Sequence, residues 1–422
     1  WDNHGNKYLE GLAGLWCTAL GYGNQEVITA ATEQMNKLTF NHMFGGKTHQ
    51  VAIDLADKLA DMIPMKDAVI SFGNSGSDAN DTHIKLLRYY HEAIGKPHCR
   101  KIIARERSYH GVTVAAASLT GLPVTQNHFD LPVDALGILR TDHPHYYRGK
   151  QGEETEVEFV DRIVGNLEAM ILREGPDTIA AFIAEPITGA SGVIVPPEGY
   201  YQKVQAVLNR YDIMFWADEV ITGFGRTGSD FGCNTMGIKS PDMMTFAKQL
   251  SSAYMPISAS AIKRDMYTAM IDQTANAGAF GHGYTYSGHP VACAVALKVL
   301  EIYQRDEIFE KAAITGKYLQ KRLAEFSDHP LVGEVRGSGL LGAIELVADK
   351  KTGQPFVGGA VGGYAQKMAQ DSGLLIRAVA GSSLGFCPPL IITEPQIDEL
   401  IGKVSIALDK TLEHCHQHSL IV

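Results

Sequence analysis

The apolar residues of this chain fall into short runs that end abruptly at polar or charged residues. Five such stretches, at 68–72, 101–105, 178–184, 213–217 and 243–247, consist mainly of Ala, Val, Ile, Met and Phe. Unbroken runs of this length, without alternation, read as parallel strands buried on both faces. Helical spacing appears at 25–38, 48–62, 156–172 and 200–210, and Ile84, Leu87 and Tyr90 continue it after the first run. Strands alternating with helices predict an α/β fold with a large, doubly wound, mostly parallel sheet. After Val291 the rhythm changes to long helical stretches, 291–304 and 310–326, then a strand at 339–346 and a last helix near 396–412. This is read as a smaller α+β domain. Residues 1–10 read as two short strands around a His-Gly turn, while 121–152 is loop-rich, with Pro, His and Tyr, and offers no legible chemistry. The division expected is 1–44, a segment serving the small domain and the active site; 45–290, the large domain; and 291–422, the small domain.

The stops carry the chemistry. In an open α/β sheet the ligand crevice lies at the carboxyl ends of the parallel strands. The runs at 178–184, 213–217 and 243–247 stop at Glu185, Asp218 and Lys248, which would deliver two acids and an amine to one crevice. The run at 101–105 leads to Ser108-Tyr109-His110-Gly111, where an aromatic ring could stack on a flat heteroaromatic ligand. The run at 68–72 leads to Gly73-Asn74-Ser75-Gly76-Ser77-Asp78 and a helix start. Free N–H groups there could hold a phosphate on Gly76 and Ser77, and a simple Ser/Asp helix cap would use the same residues. Between 11 and 24, glycines alternate with Leu15 and Trp16, which fits either a packed loop or the wall of a small-molecule pocket.

Composition narrows the partners. Hydrophobic residues at 45% and charged residues at 20% fit a globular protein, and the net charge of −10 argues against a general nucleic-acid surface. No apolar run approaches the roughly 20 residues of a membrane span. Six scattered cysteines without a C-x-x-C pair predict a reducing, cytoplasmic compartment. The chain opens at Trp1 inside an apparent hairpin, which is read as the loss of a preceding segment. His414, His416 and His418 are read as a polar helix end, not a metal site, and no metal is expected. Gly223-Phe-Gly225-Arg-Thr-Gly228 matches the dinucleotide fingerprint, but it neither follows its strand directly nor opens a helix. Gly46-Lys47-Thr48 lacks the first glycine of a phosphate loop, since position 41 is Asn.

Taken together, ADEVITGFGRTG with PDMMTFAK, GNSGSDANDT, SYHG, AEPITGASGVIVPP and GYTYSGHP resemble the class III (omega) aminotransferases, a family of fold type I pyridoxal 5'-phosphate enzymes. The likeness covers nearly the whole chain. GLWC and the arginine in LLIRAVAG are similar to the amine–pyruvate and β-alanine–pyruvate group. The resemblance implies that Lys248 is the Schiff-base lysine, that Asp218 faces the pyridine nitrogen and that Glu185 supports Asp218. It implies Tyr109 and Val220 on the two ring faces, Gly76 and Ser77 on the phosphate, and Thr285 reaching the phosphate from a neighbouring subunit of a homodimer, which could pair into a tetramer. Leu15, Trp16 and Phe44 correspond to pocket-lining positions, and Arg377 to an arginine that meets a substrate carboxylate or swings away for plain amines.

The implied reaction moves an amino group from an amine or ω-amino acid to a keto acid, with pyruvate as the expected acceptor. The alternatives are an aminomutase, racemase or decarboxylase on the same cofactor, or an ornithine- or γ-aminobutyrate-type aminotransferase. Those last relatives typically carry Glu where this chain has Ala190, which argues for the amine–pyruvate group. Two further departures stand beside the lysine, where Gln249 and Ala253 replace glycines usual in the family.

Overall fold

A computed structural model describes residues 1–421, apart from the side chains of 276 and 277. Its centre is a seven-stranded sheet in the order Ala68–Gly73, Ser258–Lys263, Met243–Phe246, Met214–Asp218, Ile179–Ala184, Lys101–Arg105, Ile138–Thr141. All run parallel except Ser258–Lys263, which is antiparallel to both neighbours. Every residue of Ile179–Ala184 and of Met243–Phe246 is buried, which accounts for the lack of polar alternation in the sequence. Phe182, Phe215 and Met244 pack into the core on one face, and Ile183, Trp216 and Met243 into the core on the other.

Register places the crevice. Ala184 pairs with Ala217, and Asp218 pairs with Thr245. Glu185 and Asp218 therefore leave the sheet side by side, and Lys248 follows three residues beyond Thr245 on the next strand. Adjacent strands lie about 4.8 Å apart, so the three ends share one short edge.

Two strands of this large sheet escape the sequence pattern. Ile138–Thr141, inside the stretch read as loop, has only four residues, and its middle two are half-buried, too short for any period to show. Ser258–Lys263 reads SASAIK, with little β preference. Its small side chains admit helix Gly76–Ala93 so closely that Ser260 Oγ donates to Ala79 O at 3.3 Å. The hairpin expected at the start does not form. The Asp2 carboxylate accepts from His4 N at 2.9 Å and Asn6 N at 2.8 Å, closing a local turn, and Leu9–Glu10 pairs in parallel with Leu374–Leu375 instead.

The C-terminal part builds an antiparallel sheet from Val332–Ser338, Leu341–Asp349, Gln354–Pro355, Arg377–Val379 and Ser383–Phe386. Helices Ile308–Ala324, Ala360–Asp371 and Glu394–Gln417 contribute buried residues to the main core beside it. This part meets the large sheet through Arg226, whose Nη1 donates to Leu340 O and Pro388 O at 3.2 and 2.5 Å.

Candidate active site

A cavity of about 380 Å³ opens at the carboxyl edge of the large sheet, lined by Lys248, Asp218, Glu185, Tyr109, His110, Gly76, Ser77, Val220 and Cys17 among others. Its size lies at the small end of the roughly 300–1,000 Å³ typical of small-molecule sites.

Asp218 is buried, and each of its oxygens has a donor. His110 Nδ1 lies 2.8 Å and Asn80 Nδ2 3.0 Å from Oδ2, and Val220 N donates to Oδ1 at 3.2 Å. An ionised carboxylate only accepts, so His110 carries its proton on Nδ1. Burial pushes this carboxyl up, but the His110 hydrogen bond and charge, with Asn80 and Val220 N–H, outweigh it and hold the acid below its usual range. Glu185 is treated differently. One oxygen accepts from Tyr109 N and the other from Gly189 N, both at 2.9 Å, and burial pushes the acid upward. The expectation that Glu185 supports Asp218 is thus replaced. His110 and Asn80 do so, while Glu185 holds the backbone at Tyr109.

Lys248 sits at the end of its strand in a left-handed conformation, φ 47°, which turns the chain immediately after the amine. Burial lowers its basicity, opposed by the Asp218 charge. The anion cradle is equally specific. Asp78, in the first turn of helix Gly76–Ala93, turns its carboxylate back onto Asn74 N at 2.9 Å and Ser75 N at 3.1 Å, and Ser75 caps Asp78 N. The N–H groups of Gly76 and Ser77 remain without a protein acceptor among the described residues. A Cβ on Gly76 would stand 3.0 Å from Val220 Cγ2, so the glycine lets the Val220 wall close against the cradle. The Ser/Asp cap is present, and it leaves the two N–H donors open beside it.

The outer residues divide. Leu15, 52% exposed, shares a shallow cleft of about 310 Å³ with Arg377, Gln366 and Glu10. Arg377 is exposed and has no ion pair among the described residues, yet its charge reaches the Tyr109 hydroxyl. Trp16 is 3% exposed and packs with Leu12, Ile187, Ile221 and Cys387, so it stands in the core behind the pocket and not on its surface. Phe44, 45% exposed, lies against Gly283 beside Thr285, and neither lines the Lys248 cavity of its own chain.

His110 and Asn80 were within motifs already singled out, but their bond to Asp218 is visible only in the fold. Cys17, beside Trp16, lines the cavity and gave no signal of its own. Glycines 223–228 open no helix; the Glu219 carboxylate holds this turn through Thr222 Oγ1 and the N–H groups of Gly232 and Cys233. His145, Glu334 and Glu345 cluster closely enough to suggest metal ligands, but Arg336 and Arg148 already pair with the two carboxylates. His414 stacks on Tyr364 with ring centres 4.0 Å apart.

The lowered basicity of Lys248 has a measurable sign. Between its folded pKa and the ordinary value of 10.5 the unfolded chain binds more protons, so this lysine destabilises the cofactor-free protein at neutral pH and ceases to do so as pH rises to 10.5. We expect cofactor-free Lys248→Met to melt above the cofactor-free parent at pH 7, by about 1 °C per kcal/mol of relief for a chain of this length. The gap should narrow as pH approaches 10.5, and scanning calorimetry across pH showing a constant or widening gap would contradict it.

The family model Aminotransferase class-III matches residues 1–408. The chain is 48% identical over 413 residues to γ-aminobutyrate transaminase 3, chloroplastic, of Solanum lycopersicum, covering 97% of this chain and 79% of that protein. It is 48% identical over 419 residues to a probable γ-aminobutyrate transaminase 3, mitochondrial, of Oryza sativa subsp. indica, covering 98% and 81%. Among solved structures, the omega transaminase of Pseudomonas jessenii in complex with PMP superposes with a TM-score of 0.96 at 48% identity, covering 98% of this chain and 90% of that one. A transaminase with L-ala gives 0.96 at 48% identity, covering 98% and 97%. The cytoplasmic expectation is corrected by these relatives, which are named chloroplastic or mitochondrial. Scattered cysteines suit any reducing interior and fix no compartment. With its crevice, its acid–amine pair and a family match along almost its full length, the chain belongs to the class III aminotransferases, enzymes dependent on pyridoxal 5'-phosphate.

Proposed function

We propose that this aminotransferase takes its amino group from an amine or ω-amino acid and passes it to pyruvate. The observation that carries the reading is Arg377, an exposed arginine in the cleft it shares with Leu15, without an ion pair among the described residues and with its charge acting on the Tyr109 hydroxyl. A guanidinium in that position can hold the carboxylate of a keto acid through paired hydrogen bonds. Support for pyruvate comes from the related transaminase with L-ala, since alanine is what pyruvate becomes on receiving an amino group. γ-Aminobutyrate stands as a donor to be tested beside plain amines, because the relatives from tomato and rice are named for it. Ala190 therefore does not set this chain apart from proteins named for γ-aminobutyrate.

The cavity fits the cofactor by the chemistry of its donors: an ionised acid, an amine of lowered basicity, and a helix start with two unused N–H groups. Lys248 would hold pyridoxal 5'-phosphate covalently, Asp218 would face its ring nitrogen, Tyr109 and Val220 would wall the ring, and Gly76 and Ser77 would take the phosphate. The bound cofactor supplies an electron-withdrawing ring that makes a proton on the substrate carbon removable. Lys248 Nζ would be the base for that proton, and its lowered pKa brings it toward working pH. Glu185 keeps Tyr109 in place through its backbone.

Thr285 and Phe44 lie together on an exposed patch beside a cavity of about 680 Å³ lined by Phe44, Tyr284, Tyr267, Met270 and neighbours. We take this patch to be where a second copy docks, so that Thr285 and Phe44 complete the partner's cavity. Light scattering should give twice the chain mass, and a monomer at working concentration would remove this part. We take residues 1–44 with 291–422 as the smaller unit, a division supported by the pairing of Leu9–Glu10 with Leu374–Leu375.

The reaction is tested by incubating purified enzyme with γ-aminobutyrate or a hydrophobic amine and pyruvate. We expect one alanine per donor consumed, visible absorbance from the lysine-bound cofactor, and a loss of at least about 10³-fold in Lys248→Ala. Donor turnover without alanine would sink the pyruvate reading. Replacement of Arg377 by Ala should lower kcat/KM for pyruvate by about 10- to 100-fold through loss of a charged pair, and for a hydrophobic amine by less than about threefold. Equal losses would contradict its role.

A further inference from the structure

Gln249 directly follows Lys248 and is fully buried. Its Nε2 donates to Ile221 O at 2.8 Å and Gly223 O at 3.1 Å, and its own backbone carbonyl accepts from Tyr303 OH at 2.8 Å. Two carbonyl acceptors fix the amide orientation, because only the NH₂ end can face them. Oε1 is then left buried without a partner among the described residues. An unpaired buried oxygen costs stability that an apolar side chain of the same shape would avoid, so packing alone does not account for a glutamine here.

The acceptors belong to the turn that starts at Asp218 and carries Val220 against Gly76. The donor belongs to the turn that carries Lys248. That second turn is closed on itself by Leu250 N to Ala247 O at 2.9 Å, Ser252 N to Gln249 O at 3.1 Å and two longer bonds to Lys248 O, from Ser251 N at 3.3 Å and Ala253 N at 3.4 Å, while Lys248, Ser252 and Ala253 all hold positive φ. Beyond the last sheet bond, Glu219 N to Thr245 O at 2.9 Å, the Gln249 amide is what ties one turn to the other. We propose that Gln249 is a positioning residue: it clamps the Lys248 turn to the Asp218–Val220 turn and thereby sets the reach of the amine across the cavity. The proposal rests on the cofactor reading above.

Gln249→Met keeps length and bulk and removes both hydrogen bonds. In the holoenzyme we expect the pH midpoint of the visible band to move by about half a unit or more, since the charge balance between amine and acid depends on their placement. We expect kcat to fall about 10- to 100-fold. KM for the amine should change by less than about threefold. The control is Thr411→Val, which deletes a buried bond to Ala407 O in the C-terminal helix at 2.6 Å; it should lower Tm comparably and move neither midpoint nor kcat. If Gln249→Met does not accumulate as folded protein, Gln249→Ala takes its place with the same expectation. A Gln249 variant with reduced Tm but the parent's midpoint and kcat would overturn the clamp and leave the cofactor reading standing. A parent enzyme without the visible band would overturn both.

Discussion

The structure turns on a carboxylate kept ionised inside the protein. Removing Asp218 from water costs several kcal/mol unless donors replace the solvent. The chain supplies them from three separate places: helix Gly76–Ala93 through Asn80, the segment after Lys101–Arg105 through His110, and its own turn through Val220 N–H. Asn80 is itself held in one orientation. Trp216 Nε1 donates to Thr245 Oγ1, which donates to Asn80 Oδ1, leaving the Asn80 NH₂ for His110 O and Asp218. From Trp216 through Thr245 and Asn80 to Asp218 each side-chain group has a partner, a condition under which buried polar networks rigidify a site, while His110 Nε2 beyond it is buried without one among the described residues. The helix that offers the anion cradle is therefore pinned to the acid, and the distance between cradle and carboxylate is a property of the core.

Two acids leave adjacent strands, and their surroundings separate them. Asp218 receives a histidine and an amide side chain, whereas Glu185 receives only backbone N–H groups in an apolar wall. Burial acts on both, and the difference in donors decides the direction of each. The loop after Glu185 is anchored from the far side. Arg336 Nε donates to Gly192 O at 2.8 Å, Arg336 Nη2 donates to Ser383 Oγ at 3.1 Å, and Glu334 and Glu345 neutralise the guanidinium. The backbone that carries Tyr109 is thus braced through Glu185, Gly189 and Gly192 to the C-terminal sheet.

Much of this was legible in the sequence because the informative signal was one-dimensional: an apolar run and the residue on which it stops. Register then converts three such stops into neighbours with no further information, which is why Glu185, Asp218 and Lys248 could be placed together. What stayed hidden depends on contacts between segments. His110 is adjacent to Tyr109, yet only the fold shows that its ring turns to Asp218. Trp16 and Leu15 are consecutive, and nothing in GLAGLW says which faces the core. Ser258–Lys263 hides because close helix packing selects small residues, and small residues carry no strand signature.

Arginine placement sharpens the distinction between framework and site. Arg105 and Arg336 are buried, and each makes several hydrogen bonds, to carbonyls and hydroxyls in the first case and to carboxylates as well in the second. Arg226 is buried on two carbonyls. A guanidinium so engaged is structural, because freeing it would strand a buried cation. Arg377 has none of these bonds. It sits on a short strand opposite Gly385, whose missing side chain leaves room for the Trp16 ring at 3.1 Å from where a Cβ would stand. The strand is thereby held by the core, while its arginine head has no hydrogen-bond or ion-pair partner among the described residues. A cation with a fixed root and a mobile head can meet an anion or withdraw from an apolar group at the cost of side-chain entropy alone, about 2 kcal/mol at most. On the proposed reading, such a head is what would let one site meet a carboxylated and an uncharged partner in turn.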